Sequence, residues 1–187
     1  MKAFLVSTLV VGLAEIGDKT QILSLILAAR FQQPIPILCG ILGATLANHA
    51  AAGIAGVLFG SLISGDWMRW LLGLSFVGVA VWALFPDSYE ESPQRIGRFG
   101  AFTATLVAFF LAEIGDKTQI ATIGLAARFG QLYPVVLGTT LGMLLANIPV
   151  VFIGDRIAGR LPVKTIRIVA AGLFAVLGVL TIVGAGR

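Results

Sequence analysis

Of 187 residues only one is a cysteine, Cys39, and only one a histidine, His49. No intramolecular disulfide, no zinc cluster of the Cys/His type and no paired-thiol redox site can be built from them, so soft-metal chemistry is excluded. Charge is scarce as well, with 12% of residues Asp, Glu, Lys or Arg, against about 25% in a globular chain. The small surplus of 13 Lys+Arg over 9 Asp+Glu contains no basic run, so nothing is there to track the phosphates of a nucleic acid. What the chain has in abundance is apolar surface: 58% of residues are AVILMFWYC and the mean hydropathy is +0.98. With 23 glycines added, that composition excludes a soluble domain, a disordered tail, a coiled coil and a disulfide-stapled secreted module. An all-α integral membrane protein remains, in which positive charge chiefly sets orientation.

A crossing helix needs about 20 residues of rise. Charge-free gaps predict four of them, near Ile35–Ser61, Trp67–Phe85, Leu132–Ile153 and Ile166–Val183. Two further stretches, Ala3–Ala29 and Ala101–Ala127, are long enough to cross but carry Glu, Asp and Lys in their middle. Counting both gives six transmembrane helices. Trp67, Trp70 and Trp82 read as interfacial anchors, and Pro149 as a kink in the fifth span. Arg30 and Arg128, each followed by Phe, are expected to end helices and snorkel to water.

An internal repeat organises these spans. Residues 13–31, LAEIGDKTQILSLILAARF, and 111–129, LAEIGDKTQIATIGLAARF, are identical at 15 of 19 positions with an offset of 98. A secretory leader would not be copied mid-chain, so the first apolar run is read as a span. The likeness continues through Gly40/Gly138, then at offset 99 through Gly43/Gly142, Ala47-Asn48/Ala146-Asn147 and Gly73/Gly172. The expected organisation is a three-helix repeat over 1–86, a polar linker over 87–99 and a second three-helix repeat over 100–187, forming one transport domain. An odd number of spans per half makes the repeats inverted, the arrangement of secondary transporters with a midplane site. Seven loop cations (Arg30, Arg95, Arg98, Arg156, Arg160, Lys164, Arg167) fall on one side, against Lys2, Arg69, Arg128 and Arg187 on the other. The linker from residue 86 to 99 is therefore expected in the cytoplasm and both termini outside. Its acids Asp87, Glu90 and Glu91 read as a solvated loop.

The chemistry lies in the doubled EIGDKTQI. Glu15 and Asp18, like Glu113 and Asp116, are three apart, which on a helix puts both carboxylates on neighbouring parts of one face. Each acid at mid-membrane opposes insertion by roughly 2.5–3.5 kcal/mol, so four resist by about 10 kcal/mol, and core packing gives no reason to keep them. Pairing with Lys19 and Lys117 is the structural alternative, but two lysines cannot neutralise four acids. The formal sum of −2 matches one divalent cation or two protons, which would compete for one site, since burial and mutual repulsion favour protonated carboxylates. Hard oxygen ligands suit Ca²⁺, Mn²⁺ or Mg²⁺. Gly17 and Gly115 weaken the helix and can free carbonyls, while Thr20, Gln21, Thr118 and Gln119 add neutral oxygens. Asn48 and Asn147 occupy matching places, as ligands or as interhelical hydrogen-bonding groups. His49, opposite Ile148 in the repeat, reads as a local hydrogen-bonding group.

EIGDKT at 15–20 and again at 113–118, in two three-helix halves, resembles the GDT-type calcium/manganese:proton exchanger family of bacterial, thylakoid and Golgi membranes. The resemblance extends over essentially the whole chain. It implies cation/proton antiport of Ca²⁺ and Mn²⁺, with cation binding at Glu15, Asp18, Glu113 and Asp116. Absence of an extra N-terminal span and a short linker are expected of a compact bacterial-type member in the inner membrane. Expected partners are divalent metal ions, protons and the lipid bilayer, with room for a homo-oligomer; no resident cofactor, nucleic acid or enzymatic reaction is expected, because acidic pairs alone specify no reaction. A cation channel or an exporter of basic organic cations would use the same acids.

Overall fold

The computed structural model describes residues 1–62, 66–85, 100–153 and 163–184. Every regular element among them is a helix: α1 (Lys2–Glu15), α2 (Lys19–Phe31), α3 (Pro34–Leu62), α4 (Asp66–Leu84), α5 (Ala101–Glu113), α6 (Lys117–Phe129), α7 (Leu132–Ile153) and α8 (Val163–Val183). Large apolar residues such as Leu5, Leu74, Leu137 and Val176 cover the outside, as lipid contact requires. Four helices contain stretches long and apolar enough to cross a membrane: Pro34–Leu62, Trp67–Leu84, Leu132–Ile153 and Lys164–Val183. These match the four charge-free gaps, and α7 continues through Pro149. The chain is an all-helical, multi-pass membrane protein.

Ala3–Ala29 and Ala101–Ala127 differ from expectation. Neither is one helix; each is broken at its acidic motif into two pieces of 13 or 14 residues. At 1.5 Å per residue, each piece rises only about 20 Å. Both second pieces end alike. Gln32 and Gly130 take left-handed backbone and return their N–H groups to Ala28 and Ala126, which stops the helix and turns the chain directly into α3 or α7.

The helices pack across the repeat boundary. α1 lies on α7, α5 on α3, and α4 on α8, whereas within one half α2 and α3, or α6 and α7, share only small interfaces. Small residues make these approaches close. A methyl group at Gly138 would stand 2.5 Å from the Phe4 carbonyl oxygen and 3.0 Å from Ser7 Cβ. At Gly40 it would stand 2.8 Å from the Phe102 oxygen and 2.7 Å from Thr105 Cβ, the same contacts shifted by 98 residues. The correspondence is broken at the last helix of each half: α4 packs on α6, but α8 packs on α1. The linker, with Arg95 and Arg98, and the cations Arg156, Arg160 and Arg187 lie outside the described residues.

Candidate ion site

The motif Glu-Ile-Gly-Asp folds as a reverse turn. Ile16 has φ −66° and ψ 119°, Gly17 has φ 79°, and the Asp18 N–H donates to the Glu15 carbonyl at 3.0 Å. The second copy repeats it, with Ile114 at φ −62° and ψ 121°, Gly115 at φ 74°, and Asp116 N–H to Glu113 oxygen at 3.1 Å. These are type II turns, whose third residue must take positive φ and is therefore glycine. The glycines thus do more than weaken a helix. Glu15 and Asp18 do not share a helical face, contrary to the spacing argument: the glutamate closes one half-helix and the aspartate caps the next. Asp116 accepts from the Thr118 N–H at 3.3 Å, and an anion at that end also suits the helix dipole.

The two turns are joined crosswise. Lys117 Nζ lies 2.5 Å from Asp18 Oδ1, and Lys19 Nζ lies 3.0 Å from Asp116 Oδ1. The lysines thus do pair with acids, each with the aspartate of the opposite repeat. Lys117, Asp18 and Asp116 are buried, while the Lys19 side chain keeps 23% exposure and marks the more open flank.

Both glutamates are fully buried. Glu113 Oε1 accepts from Thr45 Oγ1 at 2.6 Å. Glu15 Oε1 receives only a long 3.5 Å contact from Asn147 Nδ2. The other oxygen of each glutamate has no hydrogen-bond partner among the described residues. Asp18, Asp116, Glu113 and Lys117 all lie within Coulombic range of Glu15, so the motifs form one electrostatic cluster. Among the described residues, no three His, Cys, Asp or Glu side chains converge into a metal cage.

The neutral candidates divide. Gln21 and Gln119 give their side-chain oxygens to the N–H groups of Gly17 and Gly115, at 2.8 and 2.9 Å, and so stitch the turns. Gln21 also donates to the Ala146 carbonyl at 3.0 Å. Thr118 bonds Asp116 at 3.1 Å, whereas the buried Thr20 hydroxyl has no partner among the described residues. Asn48 donates to the Phe110 carbonyl at 3.0 Å and Asn147 to the Met143 carbonyl at 3.0 Å, so both asparagines act in hydrogen bonding, and Asn147 also touches Glu15. His49 is a correction: it is buried, and neither ring nitrogen has a partner among the described residues.

Three residues were missed by the repeat logic. Thr45 corresponds to Leu144, and Arg167 corresponds to Met68, so neither is duplicated. Ser24 matches Thr122, yet only Ser24 reaches an asparagine, donating to Asn147 Oδ1 at 2.6 Å. Arg167 donates to the Gly17 carbonyl at 2.8 Å. Arg128 is a further correction, since it bonds the Leu177 carbonyl at 2.9 Å and the Thr181 hydroxyl at 2.6 Å, pinning α6 to α8. A cleft of about 330 Å³ between the ends of α2 and α7, lined by Leu25, Gln32, Pro34 and Val151 among others, includes none of the motif residues.

Comparison with known proteins places the chain in a family. The family model described as divalent cation/proton antiporter GDT1 matches residues 3–91 and 101–187. A candidate manganese exporter of Vibrio cholerae is 50% identical over 97% of this chain and 90% of its own length. A GDT1-like protein of Synechocystis is 27% identical over 97% of both chains. The divalent cation/proton antiporter GDT1 of Saccharomyces cerevisiae is 25% identical over 97% of this chain and 84% of its own. No solved structure matches. The chain accordingly belongs to the GDT1 family of divalent cation/proton antiporters, as a transporter and not an enzyme.

Proposed function

We propose that the protein exchanges one divalent cation, Mn²⁺ first and Ca²⁺ second, for protons at Glu15 and Glu113. The observation that carries this reading is the pair of fully buried glutamates, each with an oxygen lacking a hydrogen-bond partner among the described residues. The two crosswise Asp–Lys pairs cancel their own charges. What is left is two carboxylates, which one divalent cation or two protons would neutralise. Asp18 and Asp116 join the ligand set when Lys117 or Lys19 moves aside, which accounts for the lack of a ready-made cage. Carbonyl oxygens at the C-terminal ends of α1 and α5 lie beside the glutamates and supply further hard ligands, the use to which discontinuous membrane helices are put. Manganese comes first because of the name of the Vibrio cholerae relative.

The topology that goes with this reading is six crossings, with α1–α2 and α5–α6 each crossing once, in two inverted repeats meeting at the motifs. The exchange of partners between α1 and α7 and between α5 and α3, and the reciprocal Asp–Lys pairs, support it. With the linker in the cytoplasm, inward proton movement would drive the metal out of the cell. The test is transport in proteoliposomes with a pH-sensitive dye and electrical potential clamped. Wild-type protein should accumulate Mn²⁺ against its gradient when a pH gradient is imposed, and Glu15→Gln or Glu113→Gln should abolish both fluxes while still inserting. Mn²⁺ flux without proton counter-movement would mean a channel. Wild-type rates in either variant would remove the glutamates from the mechanism.

A further inference from the structure

The two motifs are identical over ten residues in sequence but not in surroundings, and the difference centres on Arg167. In the repeat, Arg167 of α8 corresponds to Met68 of α4. α8 packs on α1, and the guanidinium reaches the carbonyl of Gly17 in the first turn at 2.8 Å. A thioether has no N–H to offer, so Met68 cannot make the equivalent bond at Gly115. The flank of the second turn is also more open. Ile114 is 54% exposed and Gly115 is exposed, whereas Ile16 and Gly17 are half-covered.

A turn carbonyl freed from helical hydrogen bonding, one residue before Asp18 and two after Glu15, is the kind of oxygen that takes a hard cation. In this structure a cationic side chain occupies it. We propose that Arg167 is a positioning residue that stands in for the transported cation at the first motif, so that guanidinium engagement and metal binding at Gly17 exclude each other. The guanidinium then holds the first turn closed on the α8 side between metal cycles. It leaves when metal arrives and returns when metal departs, which makes the halves inequivalent although their motifs are the same. The proposal rests on the exchange reading above.

Removing the competitor should tighten metal binding and slow release. Arg167→Met, which copies the other half, is expected to lower the Mn²⁺ KM about fivefold or more, as for ordinary coupling between linked sites, without raising kcat. Arg167→Lys keeps a charged donor and should restore a KM near wild type. An unchanged or raised KM in Arg167→Met, or equal KM values in the two variants, overturns the proposal. Should neither variant fold, wild-type protein answers the question: Mn²⁺ should increase phenylglyoxal modification of Arg167, read by mass spectrometry, and protection or no change refutes release. Wild-type vesicles that move no Mn²⁺ would refute the exchange reading itself.

Discussion

Replacing Gly115 by alanine tests the backbone of the motif with a sign as well as a size. Gly115 has φ 74°, and an added Cβ would meet nothing within 4 Å, so sterics with neighbours contribute nothing. Only the cost of left-handed backbone remains, roughly 1–2 kcal/mol for an L-residue with a side chain. That corresponds to a factor of about 5–30 in the population of the folded turn. Were the segment a continuous helix, the same change would stabilise it by about 1 kcal/mol, the ordinary advantage of alanine over glycine. Asparagine, which tolerates left-handed backbone better, should fall between glycine and alanine. Unfolding of the purified protein in detergent, followed by denaturant titration and read beside Mn²⁺ flux, measures both. A Gly115→Ala protein more stable than wild type, or Gly115→Asn less stable than Gly115→Ala, would refute the turn.

Asp18→Asn removes the charge that Lys117 faces at 2.5 Å, and breaking a buried pair costs about 3–5 kcal/mol. Folded yield by size-exclusion chromatography should drop, and adding Lys117→Met should recover yield without transport; equal yields for single and double variants would refute the pairing. Thr45→Val removes the 2.6 Å hydrogen bond to Glu113, about 1.5–3 kcal/mol if that carboxylate is charged. It should weaken Mn²⁺ flux, and unchanged flux and stability would deny the bond. Residues 1–91 expressed alone should fail to give a folded product, because α1 and α3 lack α7 and α5, and co-expression with 92–187 should restore it. A stable, monodisperse first half would contradict the observed packing.

The parts legible in the sequence are those that depend on composition or on the repeat. Charge-free length located α3, α4, α7 and α8, and duplication singled out the four acids. The turn was harder, because Glu and Asp three apart fit a helical face and a type II turn equally well; the deciding clue was glycine at the turn's third position. The crosswise pairs join residues 97 and 99 apart in the chain, a distance no local pattern encodes. An inverted arrangement of the repeats would nonetheless imply them, since each motif would then face its own copy. Thr45 and Arg167 escaped as site residues because they match Leu144 and Met68, and a search for duplicated polar residues passes over them. Arg128 followed the rule for helix ends until α8 supplied a carbonyl and a hydroxyl closer than water.

The crosswise pairing also sets a timetable for the nascent chain. Asp18 enters the membrane system 99 residues ahead of Lys117, which at 5–20 residues per second is a wait of about 5–20 s. Throughout that interval the first motif has only its own lysine, and α1 has neither α7 to lie on nor α8 to cap its turn. The early half must therefore stay at the edge of the insertion machinery or in a hydrated recess, rather than settle in lipid. Its final burial coincides with the arrival of the second motif. Synthesis of the last three helices is thus the step that dehydrates the first acids.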